Sequence, residues 1–304
     1  MGVTYCLGNN QKYGEKMRRT KTTLRATAIV SLAFLAGCGG NISDADRALP
    51  GGPLNVIDAS DLNDIMLDFA DPDEAVAYFR NSIAQDPTRI DFRRGLAISL
   101  ARAGKHAEAV LVYEVIEEAG ELTNEDRIAM ADAYIRNGGW AEGKAQLDAI
   151  PPTYETYDRY RLEAIIADRN KDWVKADSFY DIARGLTTAP ANTLNNWGFS
   201  KRIRGDLPEA EKLFRQALRA DPSLFRAKVN LVAVRALRGE YAMPVIPMTD
   251  EERALLIYEA ARGAISRGDR DIARGLLEES INIHPRFFQA AVDALRALDN
   301  NVSL

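Results

Sequence analysis

Histidine is nearly absent from this sequence, with 2 among 304 residues. His106 and His284 lie far apart and have no ligand-spaced partners, which argues against a histidine-built metal site or nucleophile system. The two cysteines, Cys6 and Cys38, match neither a disulfide framework nor a metal-ligand pattern. No Walker loop and no dinucleotide-binding glycine fingerprint occurs. Carboxylates are plentiful but scattered, so any pairing of two is coincidental. The expectation is a protein with no catalytic residue, no metal, no cofactor and no small-molecule substrate, hence not an enzyme. A net charge of −5 speaks against nucleic acid as a partner, because phosphate binding needs a basic surface. Prolines are few and mostly follow apolar stretches, where they separate helices.

Hydrophobic residues make up 46% and charged residues 27% of the sequence, the balance of a globular protein. Alanine, leucine, arginine and glutamate recur throughout, which leans helical. The N-terminus is different. Arg18, Arg19, Lys21 and Arg25 precede an apolar run of 11 residues, 26–36. A bilayer span needs about 20 residues, so the run suits an export signal. It ends Leu35-Ala36-Gly37-Cys38, which resembles the lipobox of bacterial lipoproteins. That resemblance implies a signal peptide over 1–37, its true start at Met17, and a lipid on Cys38. The alternative is an ordinary secretory signal with a chance cysteine. Residues 1–37 hold six bases and one acid, so the protein from Cys38 onward would carry −10. Gly39 stands where an aspartate would favour inner-membrane retention, so the resemblance implies the periplasmic face of the outer membrane. Residues 38–55 are rich in glycine and read as a lipidated flexible tether of roughly 20–25 Å reach.

The rest of the sequence repeats itself. In the unit that starts at residue 191, Trp197, Gly198, Gly205, Ala210, Phe214, Ala217 and Pro222 stand at positions 7, 8, 15, 20, 24, 27 and 32. Units starting at 90, 124, 157 and 254 place small residues at positions 8 and 20 (Ala97 and Ala109, Ala164 and Ala176, Ala261 and Ala273). Large ones stand at 24 (Tyr113, Leu147, Tyr180). Turn residues fall at 104, 138, 171–172, 205, 239 and 268. Two antiparallel helices that cross closely need small side chains at the crossing and large ones around it. A generic helical bundle shares the 3.6-residue period but not the turns. The pattern resembles the tetratricopeptide repeat, a helix–turn–helix unit of about 34 residues. It implies an all-α, right-handed superhelical solenoid of about six repeats that binds proteins.

The repeats occupy 56–241, and a last unit with a capping helix occupies 254–304. Between them, Pro244 and Pro247 forbid a second helix, so 242–253 reads as an extended insertion, with Thr249 and Glu252 as a capping box for the next helix. It either packs along the solenoid in place of the missing helix or docks a partner. In this repeat family the first helix of each unit lines the groove. The resemblance therefore implies peptide-binding positions at Arg136, Arg169, Asn192, Asn195, Asn196, Phe199, Arg202 and Asn230. Arg102, Arg136, Arg169 and Arg202 recur every 33–34 residues, a row able to hold carboxylates or simply to be solvated.

The stretch from 190 to 300 carries a narrower resemblance. Asn195-Asn196-Trp197-Gly198, Arg204-Gly205-Asp206-Leu207, Val245-Ile246-Pro247-Met248-Thr249 and His284-Pro285 are similar to the TadD-like tetratricopeptide lipoproteins of the Tad (Flp) pilus assembly system. This implies a lipid-anchored scaffold whose partner is the outer-membrane secretin or another pilus component. The competing assignments are an adaptor for outer-membrane protein insertion or cell-wall synthesis, and an accessory subunit of a hydrolase.

Overall fold

The computed structural model describes residues 62–300, all of them in helices or their connections. The expected signal, the lipid site at Cys38, the tether and the last four residues lie outside the described residues. The helices are α1 (Leu62–Asp68), α2 (Pro72–Gln85), α3 (Ile90–Arg102), α4 (His106–Glu118), α5 (Asn124–Arg136), α6 (Trp140–Asp148) and α7 (Tyr157–Arg169). They continue as α8 (Trp173–Gly185), α9 (Ala191–Ile203), α10 (Leu207–Ala220), α11 (Phe225–Leu237), α12 (Asp250–Arg267), α13 (Arg270–Ile283) and α14 (Gln289–Asp299). Each packs on its neighbours in sequence, which is the contact pattern of a solenoid.

The repeat positions explain the pairing. Ala97, Ala109, Ala164, Ala176, Ala261 and Ala273 are all fully buried at helix crossings. Where α9 crosses α10 the approach is closer still. A Cβ on Gly198 would stand 2.7 Å from the Phe214 ring, so only glycine fits. Phe214 itself is fully buried with Leu194, Leu213 and Leu231 around it. Each helical pair must also reverse direction within two or three residues. Gly104, Gly138, Gly205 and Gly268 do this, and Gly239 turns the chain at the end of α11, all with φ between 75° and 89°; Lys171 holds the same place at φ 60°. A side chain is strained there, and glycine is not.

Polar groups fasten the joint between α7–α8 and α9. The Asp168 carboxylate is buried and accepts from Ser200 Oγ at 2.6 Å and Tyr180 Oη at 2.8 Å. Its removal from water raises its pKa above the ordinary aspartate value. Asp177 accepts from Trp197 Nε1 at 2.6 Å, Lys201 Nζ at 2.9 Å and both terminal nitrogens of Arg204. Burial alone would raise this carboxyl, but the hydrogen bonds from Arg204, Lys201 and Trp197 outweigh it and hold it at about 2.

The stack changes after α11. No second helix follows it; residues 240–249 run back as a strap, and α12 begins at Asp250 behind a reciprocal Thr249–Glu252 capping box. α11 and α12 lie side by side and parallel. At their starts, the buried Lys228 ammonium donates to Pro247 O at 2.7 Å and to Glu252 at 2.9 Å. At their ends, Arg267 Nη1 donates to Leu237 O at 3.1 Å. The strap bridges this distance because extended backbone rises about 3.3 Å per residue, against 1.5 Å in a helix. Ile246 packs on the Phe214 cluster, and Met243 and Met248 pack with Val232 and Leu256. The strap thus fills the layer that a second helix fills elsewhere, while Val245 points fully into solvent.

Candidate functional site

Helices α3, α5, α7, α9, α11 and α12, the first of each unit, share one face of the stack. Among the described residues, two of the depressions along it are well defined. The smaller, of about 350 Å³, lies between α5 and α7 and is lined by Glu125, Asp132, Tyr154, Asp158 and Arg161 among others. The larger, of about 630 Å³, lies between α9 and α14, with Arg202, Leu237, Tyr258, Glu259 and Arg262 on its walls.

The recurring arginines do four different jobs. Arg102 donates to the carbonyls of Leu67 and Ala70 and ties down the end of α1. Arg136 is ion-paired with Asp132 one turn before it. Arg169 is exposed and lies 5.5 Å over the Trp140 ring. Arg202 lies 4.8 Å over the Phe199 ring and faces the larger groove. The row is regular in sequence but supplies no uniform row of free charges.

The asparagines divide as well. The repeat frame puts Asn195 and Asn196 on the partner-binding face; they are instead 0% and 1% exposed. Asn230 Nδ2 donates to Asn195 Oδ1 at 2.9 Å, so this pair holds α11 against α9. The physical reason is that helix positions 5 and 6 of this unit are overlaid by the neighbouring first helix, and an interior amide then pairs with another amide. Asn192 is exposed and Phe199 half-buried, so these two and Arg202 remain on the accessible face.

Arg161 and Arg202 make a useful contrast. Each has one buried side-chain nitrogen without a protein acceptor: Nη1 of Arg161 and Nε of Arg202. Burial pulls the Arg161 pKa down, but Asp132 and Asp158 outweigh it and the net shift is upward. Arg202 has no such pair. Burial dominates, the field of Arg262 adds to it, and Glu259 offsets only part, so its pKa is lowered. Of the acids in the larger groove, Glu259 accepts from Arg262 at 2.9 Å and Asp293 from Gln289 at 2.7 Å.

The groove's far wall comes from α14, which packs on α12 and α13 through Ala291, Ala294 and Leu298. Sequence frames alone place Tyr258 and Arg262 on this face but give no sign that Asp293 closes its end. Among the described residues no cluster of three or more His, Cys, Asp or Glu is placed to hold a metal, and no helix is long and apolar enough to cross a membrane.

Comparison with known proteins agrees with this geometry. Tetratricopeptide repeat models match residues 66–121 and 191–220. No curated protein sequence matches this one. A tetratricopeptide repeat protein from Parabacteroides merdae ATCC 43184 superposes with a TM-score of 0.55 at 12% identity, covering 81% of this chain and 98% of that one. The C-terminal part of a repeat-containing protein from Cytophaga hutchinsonii gives 0.51 at 14% identity, covering 77% and 98%. A component of the APC/C assembly Cut9-Hcn1 gives 0.54 at 14% identity; 78% of this chain is covered, which spans only 48% of that one. At such identities the likeness is one of fold. The described part of the protein is an all-helical solenoid with the fold of tetratricopeptide repeat proteins, and the repeat itself is matched over 66–121 and 191–220.

Proposed function

We propose that this protein is a non-catalytic scaffold that holds an extended segment of a partner protein in the groove between α9 and α14. The observation that carries this reading is the groove itself: about 630 Å³, open, on the face shared by the first helices, with the aromatic ring of Tyr258 and the unpaired Arg202 on its walls. That volume lies within the roughly 300–1,000 Å³ range of binding sites.

The finer assignment rests on sequence. The Leu35-Ala36-Gly37-Cys38 motif supports a lipid on Cys38 and a place on the periplasmic face of the outer membrane. Two or more acyl groups make a lasting anchor. The resemblance over 190–300 supports a role in assembling a Tad/Flp-type pilus or its secretin.

Affinity capture from detergent-solubilised membranes tests the assignment. The secretin should come down with the full-length protein and be lost with Phe199→Ala/Arg202→Glu, with helicity by circular dichroism unchanged. Recovery of protein-insertion or cell-wall machinery without the secretin would replace the pilus role with that of an adaptor for those enzymes. Undiminished capture by the double variant would refute the groove.

A further inference from the structure

The Arg202 guanidinium is the odd charge in the larger groove. Arg204, two residues further on, meets both oxygens of Asp177. Arg161 meets Asp132 and Asp158. Arg262, across the groove, meets Glu259. Among the described residues Arg202 makes no hydrogen bond and no ion pair; its partner is the face of Phe199, 4.8 Å away. A cation half out of water with no counter-ion is costly, and the downward shift of its pKa records that cost.

The surroundings favour one kind of ligand group. The Phe199 ring 4.8 Å from Cζ and the burial of Nε restrain the side chain, which lowers the entropy lost when a flexible arginine is gripped. A planar fork held in place matches a carboxylate, which accepts two parallel hydrogen bonds. Ala233, Leu237 and Tyr258 next to it form an apolar wall. The two acids of the groove each have an ion-pair partner, Arg262 for Glu259 at 2.9 Å and Arg296 for Asp293 at 3.8 Å, so Arg202 is the charge on its walls without one, in a protein whose overall charge is −5.

We propose that Arg202 is the receptor for a carboxylate of the partner's extended segment, with the neighbouring apolar side group of that segment on the Leu237–Tyr258 wall. This rests on the groove being the partner site and adds the chemistry of what it reads. The carboxylate is either that of an acidic residue or that of a free C-terminus. Both sources present the same two oxygens, and the experiment separates them.

The test uses the full-length protein in detergent and three fluorescent peptides: an end-blocked Ala-Leu-Glu-Leu-Ala, the same peptide with Gln for Glu, and Ala-Leu-Gln-Leu-Ala with its C-terminus unblocked. Binding is followed by anisotropy up to about 1 mM, a weak-binding limit near −4 kcal/mol. The blocked Glu peptide should bind about tenfold tighter than its Gln counterpart, the effect of about 1.4 kcal/mol for a charge-assisted pair. If the C-terminus is the source, the unblocked peptide shows the preference instead. Arg202→Gln should abolish the preference, and Arg202→Lys should keep only part of it. Equal binding of all three peptides, or none by any of them, overturns the proposal, as does a preference that survives Arg202→Gln. Absence of any preference in the unaltered protein, with secretin capture intact, would refute the carboxylate while leaving the scaffold reading in place.

Discussion

The unit formed by α9 and α10 and the junction formed by α11, the strap and α12 solve the same problem in opposite ways. Both must cover a first helix. In the regular unit an antiparallel second helix does so, and it comes close because Gly198 leaves room for the Phe214 ring. At the junction the next first helix moves in directly. A Cβ on Gly263 would stand 2.4 Å from the Ala236 Cβ, and a strap one backbone thick covers what is left. The regular unit is held by a large buried aromatic. The junction has small residues at its closest contact, aliphatic side chains such as Val232 and Leu256 beside it, and charged clamps at its two ends. The repeat therefore tolerates loss of a whole helix, provided that the remaining pair is small enough to touch and fixed at both ends.

Five measurements set the regular unit against the junction. Phe214→Ala should cost about 3–5 kcal/mol in urea unfolding, as for other fully buried aromatics, whereas Ile246→Ala in the half-buried strap should cost well under half as much. Equal costs would mean that the strap is as structural as the helix it replaces. Gly263→Ala should cost about 1–3 kcal/mol, because two backbone-borne methyl groups leave no flexible atom to give way. A neutral result would show that α11 and α12 can slide.

The third measurement is of pH dependence at the regular joint. The folded pKa of Asp177 is held at about 2, below its ordinary 3.8. Its contribution is therefore complete above pH 4 and is lost as pH falls through 2. Asp177→Asn should cost about 1–2 kcal/mol at pH 7 and almost nothing at pH 2. Asp168 works in the other sense. Its raised pKa makes the folded state bind its proton more readily, so it favours folding as pH falls. Fourth, Lys171→Gly should stabilise by about 0.5–1 kcal/mol, since it relieves the one non-glycine residue among the described residues that has a positive φ. Last, Val245→Asp should stay within about 0.5 kcal/mol of zero in thermal unfolding, because the valine is wholly in water. A larger loss would reveal a contact for the strap in a self-associated form.

Much of the architecture is legible in the sequence because the repeat is written in side-chain size. Ala97, Ala164 and Ala261 stand where only small groups fit, and the turn positions from 104 to 268 all have positive φ. The two prolines likewise mark where a helix has to be missing. The polar side groups are harder to read. A helix shows asparagine at the same spacing whether it faces solvent or a neighbouring amide, so nothing local separates Asn192 from the buried Asn195 and Asn196. The arginine row misleads for a related reason. Period fixes the face on which Arg102, Arg136 and Arg202 lie, but each charge is set by its own neighbours: the Ala70 carbonyl for Arg102, Asp132 of the same helix for Arg136, and Glu259 and Arg262 of α12 for Arg202. The Asp168–Ser200–Tyr180 group spans three helices and has no signature within any one of them.

The strap has one further consequence, which concerns cooperativity. A solenoid is a one-dimensional series of couplings, and each interface is the sole link between what lies before and after it. Here α12, α13 and α14 share their own apolar cluster and join the rest through the α11–α12 contact and the strap. Residues 250–300 are thus linked to the earlier repeats across a single boundary, and opening there would separate them as one block. The larger groove takes Arg202 from one side of that boundary and Tyr258 from the other. A segment bound there would tie the two blocks together, so occupancy would register as slower exchange throughout the last fifty residues.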